Sequence, residues 1–247
     1  MNTAKIIAVT QPLINHQDGH GDLVLVSKQT AEEFIAYTAR VSNPSNQHNT
    51  LTAPKLLKYL IEHRHWSPFE MVSVTMDIET TRDIAHQIVR HRSFSFQEFS
   101  QRYADPTKDM GFVLREARLQ DQKNRQNSIE TDDEVLEEAW NNFQYDVGEL
   151  AQTYYKEAIR MGIAKEQARA VLPEGLTKTR LYMSGTLRSW IHYIDVRSEE
   201  GTQKEHREIA IHAREEILKY FPSLNDYWFE EKQIEDTPKQ WWCKFWS

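Results

Sequence analysis

Apolar and polar positions alternate most strictly from Val72 to Ile78, where Val72, Val74, Met76 and Ile78 share one face and Ser73, Thr75 and Asp77 the other. A period of two predicts a half-buried strand. Short apolar runs at Ile6 to Val9 and Leu23 to Val26, separated by the polar stretch Asn15 to Asp22, predict two more strands. The longest pattern covers Asp132 to Met161. There Leu136, Trp140, Phe143, Val147, Leu150, Tyr154 and Ala158 follow in alternating steps of four and three, which predicts one long amphipathic helix whose wide stripe calls for a partner.

Local punctuation fills in the rest. Thr30 and Glu33 have capping-box spacing, with Phe34, Tyr37 and Val41 following at helical intervals. Pro54 opens a helix carrying Leu56, Leu57, Leu60 and Ile61, which stops before Ser67-Pro68. Thr81 is placed to cap a helix from Arg82 to His91, and Ser93 to Pro106 has no clean period and reads as a long loop. A strand is expected at Phe112 to Arg115, and a polar crossing at Gln120 to Thr131. A short helix runs from Lys165 to Pro173, and a strand from Lys178 to Ser184 turns through Gly185-Thr186 into a helix reaching about Val196. Thr202 and Glu205 form a second capping box for a helix ending before Pro222. The fold class expected is α+β. A single domain over 1–222 holds a mixed or antiparallel sheet with long packed helices, and the tail 223–247, with Trp228, Trp241, Trp242 and Trp246, packs on the body or on a neighbouring subunit.

Composition narrows the classes. Thirty Lys and Arg against 37 Asp and Glu leave a net charge of −7, which argues against a general nucleic-acid binder. No stretch approaches the roughly 18 apolar residues of a membrane span. The opening MNTAKIIAVTQP is too weakly apolar for a secretory segment, so a cytoplasmic location is expected. The single cysteine, Cys243, supports neither an internal disulfide nor a zinc ribbon. Ten histidines, including His63, His65, His86 and His91, occur without an H-E-x-x-H or His-Asp pattern, and no metal site is expected.

The densest chemistry lies in RHRSFSFQEFSQRY, Arg90 to Tyr103. Guanidinium forks and hydroxyls suit phosphate oxygens, and Glu98 is placed to accept from a sugar hydroxyl or a base N–H. A salt-bridged helix end explains the same residues equally well. Two other classes stay open: a nucleotide-binding or nucleotide-hydrolysing protein that uses this arginine loop, and a single-stranded nucleic-acid binder stacking bases on Phe94, Phe96, Phe99 and Tyr103. Ser100 has no neighbouring base to activate it as a nucleophile and reads as a phosphate donor.

The spacing R-H-R-x7-S, here Arg90, His91, Arg92 and Ser100, resembles that of flavin-dependent thymidylate synthases. The resemblance extends through Ala39-Arg40-Val41-Ser42, Ser67-Pro68-Phe69-Glu70, Gln87, Ala168-Arg169-Ala170-Val171-Leu172-Pro173, Leu187-Arg188-Ser189 and Arg197, in family order over about two thirds of the chain. It implies a homotetramer that shares its active sites between subunits. The implied reaction converts dUMP to dTMP with methylenetetrahydrofolate as carbon donor and with FAD, reduced by NADPH, as hydride source. By similarity, Ser67, Arg90, His91, Arg92, Glu98, Thr186, Arg188 and His192 fall on FAD positions. Gln87, Arg90, Glu98, Phe99, Ser100, Gln101, Arg102 and Arg169 fall on dUMP positions, and Arg197 matches the arginine that activates the uracil ring. Many relatives have His where this chain has Met71, and some have Asn at Thr186 and His192. His65 is expected to line the folate or flavin side of the pocket or to end a helix, and Arg40 to touch cofactor or its own helix terminus. A thiol in the tail WWCKFWS is poorly suited to nucleophilic attack on uracil, so the route must be cysteine-independent.

Overall fold

The strictly alternating segment becomes one of two central strands in a four-stranded sheet. The structure, a computed structural model, describes residues 2–13, 15–17, 23–25 and 29–229. Trp241, Trp242, Cys243 and Trp246 lie outside them. The described elements run in the order β1 (Thr3–Val9), β2 (Asn15–Gln17), β3 (Leu23–Leu25), α1 (Ala31–Ala39), α2 (Ala53–Glu62), β4 (Ser73–Thr81), α3 (Arg82–Ile88), β5 (Ser95–Glu98) and α4 (Pro106–Asp109). There follow β6 (Arg118–Gln120), β7 (Ser128–Glu130), α5 (Glu134–Arg160), α6 (Lys165–Ala168), β8 (Lys178–Thr186), α7 (Leu187–Arg197), α8 (Lys204–Tyr220) and α9 (Asn225–Phe229). Among the described residues, no helix is long and apolar enough to cross a membrane.

The sheet order is β1-β4-β8-β5, with every neighbouring pair antiparallel. Strand alternation divides it as the sequence predicts. Val74, Met76 and Ile78 of β4 point inward with Met183 and Leu181 of β8, all without solvent exposure. On the other face, Thr75 donates to Ser184 at 2.9 Å, and Asp77 pairs with Arg180. α7 is fastened to the inner face by the indole of the buried Trp190, which donates to the Val74 carbonyl at 3.0 Å. α8 lays His206, Ile209, Ala210, Ala213 and Ile217 into the same core. The Thr30–Glu33 capping box is present in both directions.

Several expectations are corrected. The loop after Arg92 contains β5, which pairs with β8. The expected crossing holds the β6–β7 hairpin, and Phe112 makes only an isolated bridge to Thr177. These strands are too short to show a period, so tertiary pairing decides them. The stretch Asn15 to Asp22, expected as a loop, opens with β2, which pairs with β3. Glu205 does not cap α8: Gln203 stands at the N-cap without a side-chain cap bond, and Glu205 instead receives Arg118. Thr81 occupies the N-cap of α3, but its hydroxyl donates to Asp83 at 2.6 Å. The stripe of α5 is left uncovered by the other described residues. Gln144, Gly148, Ala151 and Tyr155 are buried, while Phe143, Val147, Leu150 and Tyr154 are exposed, Phe143 at 64%. The described start of the tail packs on the body, where Tyr227 and the buried Trp228 donate to Asp195 at 2.7 and 3.0 Å.

The loop that follows α3 is pinned to the sheet through Phe94, whose ring meets Trp190 and Tyr193 edge-on. It also covers Gly185, where an added Cβ would lie 2.4 Å from Phe94 Cδ1. Gly185→Ala is therefore expected to cost about 1–3 kcal/mol in urea unfolding, since a packed ring must move. Unchanged stability would show that the ring yields freely.

The buried imidazole of His206 sets a pH dependence. Burial, then the charges of Arg197 and His91, push its pKa from 6.5 down to about 3. The native chain thus holds it neutral, whereas the unfolded chain protonates it below about 6.5. Its contribution to stability is complete above that value and is lost as pH falls from there towards the native pKa. Unfolding midpoints are expected to drop between pH 7 and 5 in the native sequence, with a shallower drop in His206→Gln. Equal slopes in the two proteins would contradict this account.

Candidate active site

Each of the two central strands runs without a break into a helix: β4 into α3 and β8 into α7. The strands are antiparallel, so the helices start from opposite ends of the sheet. Their C-terminal ends meet, and the meeting point is a side-chain contact. Nε of Arg197, in the last turn of α7, donates to His91 Nε2 at 2.9 Å, just beyond the end of α3. A guanidinium has no acceptor, so that imidazole nitrogen must carry the lone pair and the proton sits on Nδ1. Burial first, then the charges of Arg197 and His192, lower the His91 pKa to about 4. His91 is thus a neutral acceptor that fixes the plane of Arg197 through Nε.

Below this contact, the carbonyl of Gln87 accepts from the buried His206 (Nδ1 to Oε1, 3.2 Å), and its amide nitrogen donates to Gln203 at 2.8 Å. Gln87, His91 and Arg197 form the central group of predicted site residues.

A second group lines a cleft of about 590 Å³ along the start of α7. Thr186, Arg188 and His192 are there, together with Trp66, Glu70 and Ser93. Thr186 is the N-cap of α7 and accepts from the Ser189 amide at 3.3 Å, so its threonine has a local role as well. Arg188 is held by Glu70. Ser67 is exposed in the short helical turn Ser67–Met71 that borders the cleft. Arg90 and Arg92 are exposed at the end of α3.

The third group surrounds a smaller cavity of about 340 Å³ lined by Arg82, Gln101, Arg169 and Glu174. Gln101 is 5% exposed, and its side-chain nitrogen is buried with no hydrogen-bond partner. An unmet donor beside Arg169 suits an anionic ligand. Arg102 lies close by and pairs with Glu166 at 3.2 Å. Phe99 and Ser100 form the turn that leads in: the Phe99 amide donates to the Arg180 carbonyl at 2.9 Å, and the Arg102 amide reaches the Ser100 hydroxyl at 3.4 Å. Glu98 does not pair with Arg90 or Arg92. It accepts from Arg82 and from Thr179, both at 2.9 Å.

The loop from Arg90 to Arg102 therefore visits all three groups, but one chain does not merge them into one cavity. Sequence reasoning missed Trp66 and Arg82, and it missed the buried His206 with Tyr193, Gln203 and Glu205 beneath it. The signal for His206 was present, since a polar ring stands on the apolar stripe that continues to Ile209, Ala210 and Ala213. His65 sits at the end of α2, edge-on to Tyr59, which stacks on His63. The buried Arg40 has a structural role, binding the Asn49 carbonyl and the Thr52 hydroxyl.

Comparison with known proteins gives matches over most of the chain. The family model described as thymidylate synthase complementing protein matches residues 24–223. The probable flavin-dependent thymidylate synthase of Paramecium bursaria Chlorella virus 1 is 47% identical over 222 residues, covering 90% of this chain and 96% of that one. The flavin-dependent thymidylate synthase of Synechocystis sp. is 53% identical over 193 residues, covering 78% and 87%. Among solved structures, a UMP/dUMP methylase PolB from Streptomyces cacaoi, bound with 5-Br dUMP, superimposes with a TM-score of 0.70 over 90% of this chain and 92% of that chain. At 22% identity, that likeness is one of fold. With its ordered motifs on these three groups and relatives that match over most of its length, the chain belongs to the flavin-dependent thymidylate synthase family.

Proposed function

We propose that this chain methylates dUMP to dTMP in the cytoplasm, at a site assembled between the subunits of a homotetramer, with Arg197 activating the uracil ring. Methylenetetrahydrofolate donates the carbon and NADPH reduces the FAD. The observation that carries the assignment is the Arg197–His91 bond. It holds the guanidinium by Nε, which leaves the terminal fork to a ligand, and His91 belongs to the family's own R-H-R motif.

The donor set of the α7 cleft fits a flavin nucleotide. Arg188 provides a cation, Thr186 and Ser189 hydroxyls, His192 an imidazole and Trp66 a stacking surface. Ser67, Arg90, His91, Arg92 and Glu98 complete the flavin contacts. When bound, the flavin supplies the hydride, and the protein supplies position and electrostatics. The dUMP contacts are Gln87, Arg90, Glu98, Phe99, Ser100, Gln101, Arg102, Arg169 and Arg197, with the phosphate meeting the unpaired Gln101 nitrogen and Arg169. For C5 of uracil to attack an electrophilic carbon, electron density must build on the ring carbonyl oxygens. A fixed arginine there stabilises it and, remaining protonated, does not act as a base.

Two observations support the shared site. The dUMP residues divide between the central group and the Gln101–Arg169 cavity, and the seam of α5 is exposed. Side chains in steps of four and three are the packing pattern of paired helices, so a second copy is the occupant. The catalytic body is 1–222, and the described start of the tail, 223–229, packs on it.

The test follows flavin reduction and dTMP formation separately. Arg197→Lys keeps the charge but loses the planar fork. It is expected to retain the yellow absorbance and NADPH oxidation while dTMP formation falls roughly a hundredfold. Near wild-type dTMP formation in Arg197→Ala would move the activating role elsewhere. For the assembly, Phe143→Asp with Leu150→Asp is expected to sediment as a smaller species with native circular dichroism and little activity. A fully active monomer would refute the shared site.

A further inference from the structure

A row of hydrogen bonds runs beneath the central group, and each link has a forced direction. It starts at Glu205, at the N-terminal end of α8, which is paired with Arg118 at the start of β6. Both side chains are nearly buried, at 12% and 11% exposure. Burial alone would raise the carboxyl pKa, but the hydrogen bond and charge of Arg118 hold it below the usual carboxylate range. An ionised carboxylate only accepts. Glu205 Oε2 therefore takes its 2.9 Å bond from the Gln203 amide nitrogen, which turns the Gln203 carbonyl towards Gln87. That carbonyl accepts from the Gln87 nitrogen at 2.8 Å, so Gln87 must present its own carbonyl to His206 Nδ1, 3.2 Å away. The imidazole is then the Nδ1–H tautomer. Its Nε2 is an acceptor, filled by the hydroxyl of the fully buried Tyr193 at 3.1 Å. Desolvation raises the Tyr193 pKa, which keeps that proton in place.

Each glutamine amide can rotate by half a turn and exchange donor for acceptor, and the His206 tautomer and the Tyr193 hydroxyl then follow it. Reversal of Gln203 would set its carbonyl against the Glu205 carboxylate, two acceptors face to face, and a desolvated polar network penalises such a mismatch.

We propose that the Arg118–Glu205 ion pair, through Gln203, sets the orientation of the Gln87 amide and the tautomer of His206. Glu205, Gln203 and His206 are then positioning residues for the nucleotide. What remains of Gln87 for a ligand is one N–H and one carbonyl lone pair, each on a fixed side. This rests on the reading that Gln87 touches dUMP. It also explains why Glu205 abandons the capping position that its spacing from Thr202 offers: the tertiary ion pair takes the carboxylate.

The experiment uses the assembled, flavin-bound enzyme. Glu205→Gln is nearly isosteric but can donate as well as accept, so it removes the direction while keeping the shape. Nitrogen-15 chemical shifts of His206 are expected to report Nδ1–H in the native sequence and a mixture of tautomers in Glu205→Gln. The dissociation constant of dUMP should rise about tenfold, while flavin content and NADPH oxidation stay at wild-type levels. Gln203→Ala, which cuts the relay but leaves the ion pair, should do the same. Adding Glu205→Gln to Gln87→Ala should weaken dUMP no further than Gln87→Ala alone, because the effect passes through Gln87. A retained Nδ1–H tautomer in both Glu205→Gln and Gln203→Ala, or additive losses in the double variant, would overturn the proposal. Unchanged dUMP affinity in Gln87→Ala would instead overturn the assignment of Gln87 to the nucleotide, whatever the tautomer of His206.

Discussion

The pairing of β4 with β8 is the constraint on which the rest depends. Its register runs from Ser73 opposite Thr186 to Thr81 opposite Lys178, and both strands pass straight into helices. Nine strand residues span about 30 Å. The seven residues of α3 and eleven of α7 return about 10 and 16 Å from opposite ends. Those lengths nearly close the distance, which is why a side chain just past α3 can reach one in the last turn of α7. A one-residue slip in the pairing would turn Val74, Met76 and Ile78 to the outer face, and it would also move His91 out of reach of Arg197. The hydrophobic register and the chemistry are one specification.

The parts legible in the sequence are those where local and tertiary preferences agree. The alternation at Val72 to Ile78, the Thr30–Glu33 box and the long period of α5 each fixed an element before any partner was known. The failures fall where a distant partner outweighs a local rule. Glu205 is the clearest, because an ion pair with Arg118 displaces a cap that both residue types and spacing favour. β5, β6 and β7 are three or four residues each and exist only through what they pair with. Local rules broken at functional positions are an expected mark of a working site.

The candidate residues were legible by motif, but their distribution was not. Spacing along a chain says that Arg197 and Arg169 matter; it does not say that one stands over His91 and the other beside Gln101. The long apolar stripe that the sequence reading assigns to a partner helix is exposed among the described residues. Its exposure on α5 transfers the question from the fold of one chain to the contact between chains, where a monomer's own energetics no longer decide it.

The seat of Phe94 on Gly185 bears on how tightly a ligand can be held. A loop that gains its shape only when a ligand arrives subtracts its ordering entropy from the binding free energy. Here the ring occupies the volume of a missing side chain, among Trp190 and Tyr193, so the middle of the arginine loop is ordered during folding. Residues on either side of that anchor have lost much of their freedom before any ligand arrives. One absent methyl group in the sheet thus shifts an entropic cost from each binding event to the single event of folding.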